Sequence, residues 1–257
     1  LGFPLGAVEP LKAASVAPGR PEEGAAPSAD SADFVLEVGT EELPPDEVDS
    51  ACAQLEQAFP ELLSKLRLAH GAVRVSGTPR RLVVQVEALA ARQPDRRSRV
   101  RGPPARAAFD AEGAPTKALV GFCKKQGASP EAVERVADEK GTEYCWVEVE
   151  EVGAPAAEVL TAALGEQLGA LGFRKSMRWN GDAAFSRPVR WLVALHGAQT
   201  LPFSAFGLIA GADSRGLRLG SEAPALALSH AADLGPRLEE AGVVLSAEDR
   251  RDQIWAT

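Results

Sequence analysis

Two patterns in this chain could do chemistry. One sets arginine beside proline or tryptophan: Thr78-Pro79-Arg80-Arg81, Met177-Arg178-Trp179 and Arg187-Pro188-Val189-Arg190-Trp191. The other is the carboxylate pair Glu41-Glu42 inside Gly39-Thr40-Glu41-Glu42-Leu43-Pro44-Pro45. Adjacent residues in an extended or turn segment point apart, and no histidine or nucleophile stands near this pair in sequence. General acid–base work is therefore disfavoured, and the structural reading is that Glu41 or Glu42 anchors an arginine or caps backbone N–H groups ahead of a helix. Arg80 and Arg81 fall at a hairpin-like turn, where two roles stay open: contact with phosphate, or a buried pair with Glu41 or Glu42. Along an extended strand Arg190 and Trp191 face opposite sides, which sends Trp191 into a core and Arg190 outward. The same interleaving suits stacking on an unpaired base; the alternative is a tryptophan core with solvated arginines. The cysteines (Cys52, Cys123, Cys145) are odd in number and form no CxxC pair, and the histidines (His70, His196, His230) lack ligand spacing. This argues for a reduced compartment without a disulfide framework or metal site. No residue is read as catalytic.

Charge is segregated. Val73–Arg106 holds nine arginines against Glu87 and Asp95, a local +7, and Gly172–Trp191 holds five bases against Asp182, a local +4. With −8 overall, the remainder carries −19. Two basic segments in an acidic body fit a surface of which only part meets phosphates. Arginine predominates in both, and its planar fork suits bidentate phosphate contacts and stacking on bases. The alternative is an arginine-rich, solvated sheet face paired with acidic neighbours.

The elements that must position these residues are legible in the hydrophobic pattern. Residues 10–33, rich in Ala, Pro, Ser and Gly, read as a flexible, disordered linker. Phe34–Val38 starts the ordered chain as a strand. A helix follows from Asp46, with Val48, Cys52, Leu55, Phe59, Leu62, Leu63 and Leu66 at helical spacing and Pro60 expected to kink or split it. Strands are expected at Val73–Ser76, Leu82–Val86, Arg96–Arg101, Tyr144–Glu150, Arg190–Leu195, Leu201–Phe203 and Leu226–Leu228. Helices are expected at Thr116–Gln126, Pro155–Leu171 and His230–Ala241, the last stopped by Gly242. Strands and helices mix without βαβ alternation, so the fold class is α+β, with mixed or antiparallel sheets and packed helices rather than a doubly wound parallel sheet. No apolar run approaches the roughly 20 residues that cross a membrane. The chain begins at Leu1 without a Met and ends in a fresh helix led by Ser246, so it reads as part of something longer.

Long motifs add a resemblance. Phe34-Val-Leu-Glu-Val-Gly-Thr-Glu-Glu-Leu-Pro-Pro45, Thr78-Pro-Arg-Arg-Leu82, the stretch 102–122, Met177-Arg-Trp179 and Arg187–Leu195 together resemble the opening of the β subunit of bacterial-type glycyl-tRNA synthetase. Leu1-Gly-Phe-Pro-Leu-Gly6 resembles the end of that enzyme's α subunit, and an α end joined by a linker to a β start resembles the fused organellar form. The resemblance implies this division: 1–9 the end of the α part, 10–33 the linker, and 34–257 the N-terminal β region, with a subdomain break near 105–155. It implies a piece of an ATP-dependent glycine–tRNA ligase whose chemistry, with ATP and Mg, belongs to the α part; no cofactor is implied here. Implied partners are tRNA-Gly, the α part (in cis if fused) and a second copy in a homodimer, without a membrane. The implied compartment is chloroplast or mitochondrion if fused and cytoplasm if bacterial. Candidate tRNA contacts are Arg80, Arg81, Arg97, Arg99, Arg178, Arg187, Arg190, Arg215 and Arg218; Glu41, Glu42, Trp179 and Trp191 are structural. The chain departs from the family pattern at 211–219, where Ala212 replaces an amide and Leu217 an imidazole. Two alternatives remain: a structural module that binds the α part without RNA, and a hydrolytic editing module.

Overall fold

The computed structural model describes residues 31–110, 113–137, 141–179, 183–218 and 223–256. The expected linker at 10–33 lies almost wholly outside them, as does the expected α-part end. The chain opens with β1 (Ala32–Thr40), in which Phe34 to Thr40 are all buried. Period-2 alternation gives Phe34, Leu36 and Val38 to one core and Val35 to another, so both faces of this central strand are covered. Helix α1 (Pro45–Lys65) has Pro at N1 and acidic Asp46 and Glu47 in its first turn, a favourable start for the helix dipole. Pro60 does not split it: Phe59, Leu62 and Leu63 on either side are buried, and their packing outweighs the lost backbone bond. Strands β2 (Val73–Thr78) and β3 (Arg81–Leu89) form a hairpin across Pro79-Arg80.

The middle of the chain carries β4 (Arg96–Pro104), α2 (Ala105–Ala108), α3 (Lys117–Gln126), β5 (Glu134–Ala137), β6 (Glu143–Glu151) and α4 (Ala156–Gly169). The order β4-β6-β5 makes a three-stranded antiparallel sheet with its own core of Ala108, Leu119, Cys123, Cys145 and Val147. The three cysteines are unpaired thiols, and burial pushes Cys123 and Cys145 above their ordinary pKa. Helix α2 and strand β5 escape the sequence reading because four-residue elements carry too little periodicity.

Toward the end come β7 (Met177–Trp179), β8 (Ala183–Phe185), β9 (Val189–His196), β10 (Gln199–Thr200), β11 (Ser204–Ala205), β12 (Leu208–Ile209), β13 (Asp213–Arg215), β14 (Ala225–Ala227), α5 (Leu234–Glu240) and α6 (Ala247–Trp255). The main sheet has the antiparallel order β10-β9-β1-β3-β2. Helices α1 and α4 contribute to the core on one face, while β14, α5 and the turn before it contribute to the core on the other. The fold is α+β, as expected.

Two expectations are corrected. Leu201–Phe203 is not a strand. Pro202 has no N–H to lend a ladder, and Leu201 and Phe203 instead plug the core from a tight turn in which Phe203 N donates to Leu201 O at 2.9 Å. The helix expected over His230–Ala241 is divided into a 3₁₀ turn at Ala231–Asp233 and α5. His230 Nδ1 accepts from Ala232 N, and Asp233 Oδ2 accepts from the backbone of Ser229 and His230; Pro236 has no N–H to extend the helix backward. Gly242 stops α5 with φ +75°, as read. Ser246 caps α6 by accepting from Asp249 N at 3.1 Å.

Candidate arginine-lined cleft

Four of the arginines singled out in the sequence meet at one end of the main sheet. Arg80, Arg190, Arg215 and Arg218 line a cleft of about 210 Å³ with Glu41 and Trp191. Three backbone bonds assemble it by tying the Glu41 loop to both neighbouring motifs. Thr40 N donates to Arg80 O (2.9 Å), Glu41 N to Pro188 O (3.0 Å), and Leu43 N to Pro79 O (2.6 Å). A bulge supplies the fourth side chain. The register steps from Gly39↔Trp191 to Thr40↔Val189, so Arg190 is an extra residue on β9. Val189 accordingly enters one core and Trp191 the other, two residues apart. The expected placement, Trp191 in a core and Arg190 outward, is what the structure shows, with Trp191 9% and Arg190 61% exposed; the bulge in addition re-aims Arg190 so that both border the same cleft.

Glu41 faces three guanidinium groups, with Arg218 at 3.3 Å, Arg190 at 3.4 Å and Arg80 at 4.0 Å; Glu42 adds a second contact to Arg218 at 3.3 Å. The anchoring role read for Glu41 and Glu42 is what the geometry shows. Two carboxylates face four arginines, so among the described residues the cleft keeps an excess of two positive charges. Arg80 Nε is buried without a hydrogen-bond partner.

Beneath the cleft lies an ion pair that the sequence reading left open and placed on the wrong partner. Arg81 is 3% exposed and donates through Nη1 to Glu37 Oε1 at 2.9 Å; Glu37 is fully buried. Arg81 is thus in a buried pair, with Glu37 rather than Glu41 or Glu42, and its guanidinium does not reach the surface where a phosphate would meet it. Its Nη2 donates to Arg215 O at 2.7 Å, and Nη1 reaches the Ser214 hydroxyl at 3.5 Å. Arg81 therefore clips β13 to the sheet and sets where Arg215 and Arg218 emerge. Burial pushes the Glu37 carboxyl above its ordinary pKa, opposed by the Arg81 guanidinium and by the nearby Ser214 hydroxyl and Trp191 indole N–H. Burial likewise draws Arg81 down.

Gly39 makes this geometry possible. It stands opposite Arg81 on one side and Trp191 on the other. With no side chain between them, the Arg81 guanidinium carbon lies 5.7 Å from the centroid of the Trp191 ring, within cation–π range. A Cβ on Gly39 would lie 1.8 Å from the indole.

The remaining candidates lie elsewhere. Arg97 and Arg99, on β4, pair across the small sheet with Glu150 and Glu134, and Arg99 also lies over the Trp146 ring; this is the solvated, acid-paired face weighed as the alternative. Arg178 is exposed on β7. Arg187 donates to its neighbour's carbonyl, Ser186 O. Trp179 packs against Phe206 at the edge of the core. Sequence reasoning missed Glu37 and the packing role of Gly39. A signal for Glu37 existed: it is a carboxylate at a position where the alternation of a fully apolar strand demands a hydrophobic residue.

No group of three or more His, Cys, Asp or Glu side chains among the described residues could hold a metal ion. No described helix is long and apolar enough to cross a membrane.

Residues 34–257 match the family model described as glycyl-tRNA synthetase beta subunit. The chain is 42% identical over 255 residues to the chloroplastic/mitochondrial glycine--tRNA ligase 2 of Arabidopsis thaliana, a match covering 99% of this chain and 24% of that protein. It is 40% identical over 228 residues to the glycine--tRNA ligase beta subunit of Desulforudis audaxviator (88% and 33%). It is 41% identical over 223 residues to that of Myxococcus xanthus (86% and 31%). The chain spans 24–33% of the length of these relatives.

Proposed function

Starting from a chain that belongs to the glycyl-tRNA synthetase beta subunit family, we propose that it is part of a glycine–tRNA ligase and that its arginine-lined cleft meets the tRNA backbone. The observation that carries the second half is the charge excess: four arginines converge where two carboxylates stand, although the chain as a whole is acidic. Guanidinium forks at one concave site suit phosphate oxygens. The buried Glu37–Arg81 pair below holds β13 in place, so the geometry exists before ligand arrives. ATP with Mg and the ligation itself belong, in this proposal, to an α part. The Arabidopsis match takes in nearly all of residues 1–33, whereas the family model begins at 34. That extent supports a fused organellar form, working in chloroplast or mitochondrion, in which 1–9 close the α part, 10–33 link it in cis, and 34–257 open the β part. A homodimer of the fused chain completes the proposed assembly.

Two results are expected of the 257-residue chain. It should support no glycine-dependent pyrophosphate exchange above a no-enzyme control, because the residues described carry no nucleotide-phosphate loop or metal cluster; measurable exchange would overturn the division of labour. It should also bind tRNA with a salt-dependent affinity. Each phosphate neutralised contributes about −0.9 to the slope of log K against log salt, so two to four contacts give roughly −2 to −4. Replacing Arg80, Arg190 and Arg218 with alanine should flatten the slope by up to about 3 units. The melting temperature should fall far less than on loss of the buried pair, since these partly exposed ion pairs contribute about 0–1 kcal/mol each. Arg97→Ala with Arg99→Ala serves as the control. If the control flattens the slope and the triple variant does not, the cleft is the wrong surface.

A further inference from the structure

Arg80 and Arg218 do not only border the polar cleft. They are also the shared wall of a second cavity of about 490 Å³, whose apolar lining is Pro79, Leu217, Val243 and Val244. Leu217 is 42% exposed, an apolar residue on the open side of this cavity. Its position is set from below by Gly242, which turns with φ +75° and on which a Cβ would come within 3.1 Å of Leu217 Cδ1. From these juxtaposed halves, one cationic and one apolar, we infer that the pair of cavities is a single site for a nucleotide with an unpaired base. The phosphate sits among Arg80, Arg190 and Arg218, and the base lies against Leu217, Pro79 and Val243. The inference rests on the phosphate reading of the cleft and adds to it which part of an RNA is taken.

The chemistry is specific to that class. Inorganic phosphate would leave the larger, apolar cavity wet. A base inside a duplex has both faces stacked and cannot enter it, whereas an unpaired base presents a free π-face. Together the cavities fall in the usual range of small-molecule sites, roughly 300–1,000 Å³. The walls also suit a nucleotide. Guanidinium planes stack on bases as well as bind phosphates, and Arg80, whose Nε is buried and unpartnered, stands between the two halves. The apolar walls grip a base by its face, while Thr78, Glu42 and Arg250 also line the cavity and offer polar groups to its edge. Most of the affinity is therefore expected from the face, which every base presents.

Isothermal titration of the 257-residue chain with inorganic phosphate, 5′-AMP, a single-stranded RNA pentamer, the same pentamer annealed into a duplex, and a diglutamate peptide tests this. The expected order is single-stranded pentamer at or above 5′-AMP, then the duplex and inorganic phosphate at least about fivefold weaker, as contact with one base provides. Leu217→Ser should remove the advantage of 5′-AMP while leaving inorganic phosphate within about twofold. Val243→Ala gives a second reading with less change on the surface. A pentamer well above 5′-AMP assigns the site to RNA; equal affinities assign it to a free nucleotide. If phosphate and 5′-AMP bind equally, the nucleotide site is overturned while the phosphate reading stands. If no phosphate compound binds, both fall. Diglutamate binding as tightly as 5′-AMP would overturn the nucleotide in favour of an acidic protein segment.

Discussion

Arg81→Met is expected to lower stability by about 3–5 kcal/mol, the loss typical of removing one partner from a buried ion pair. Glu37 would then stand fully buried with no guanidinium beside it, and Arg215 O would lose its donor. At about 2–4 °C per kcal/mol for a chain of this size, the melting temperature should drop by roughly 6–20 °C. The sign of the pH dependence follows from the buried carboxyl. In the wild type, burial already raises Glu37 above its ordinary pKa despite Arg81; without Arg81 the rise must be larger. A carboxyl whose folded pKa lies above its unfolded one binds the proton more tightly when folded, so stability is greatest at low pH and is lost as pH rises through the folded pKa. The gap between variant and wild type should accordingly narrow from pH 8 to pH 5. Glu37→Leu combined with Arg81→Met should recover much of the loss, because no charge is left unpaired. A single variant that melts within 2 °C of wild type, or a gap that widens on acidification, would reject this account of the pair. Arg80→Ala, one residue away but at the half-buried rim of the cleft, should lower the melting temperature far less than Arg81→Met.

Gly39→Ala is the second large effect. No positive φ is involved; the constraint is space, since the new Cβ would lie 1.8–2.3 Å from three indole carbons of Trp191. Either the strand shifts or the indole leaves its slot. Forcing out a large aromatic side chain costs about 3–5 kcal/mol, at the upper end of what a single methyl group does in a packed site. The distinguishing measurement is a double-mutant cycle. If the clash is the cause, Gly39→Ala should cost little once Trp191 is leucine, and the two costs should fail to add by about 2 kcal/mol or more. Additive costs would mean that Gly39 serves the backbone and not the indole. Because the displaced indole would fill the cleft it borders, tRNA affinity should fall with Gly39→Ala even where the chain stays folded.

Much of the framework was readable from order and pattern. The main elements of the sheet and the helices over it follow from period-2 and helical spacings, and the α+β class from their mixture. Family membership was legible from the long motifs. The cleft itself was half legible. Arginine types and the two carboxylates mark Arg80, Arg190, Arg215, Arg218, Glu41 and Glu42 as candidates, but Arg97 and Arg99 look the same in sequence. What separates them is which carboxylates come across the sheet: Glu150 and Glu134 arrive on β6 and β5 to answer β4, while among the described residues the cleft arginines pair with Glu41 and Glu42. Pairing between strands far apart in the chain decides that, and no local pattern encodes it.

The sequence alone determined the spacing of apolar residues, the stop at Gly242 and the cap at Ser246, because these depend on neighbours within one turn or one strand. Tertiary structure alone decided that Arg81 is buried and Arg80 is not. The bend of the hairpin turns one inward, onto Glu37, 44 residues earlier in the chain, and leaves the other at the rim. It alone decided, through the bulge on β9, that Arg190, directed outward from the buried Trp191, borders the same cleft. It also fixed the role of Gly39, whose missing side chain matters only once β3 and β9 lie on either side. In each case the cause is register: a shift of one residue between strands reverses the face of every side chain beyond it.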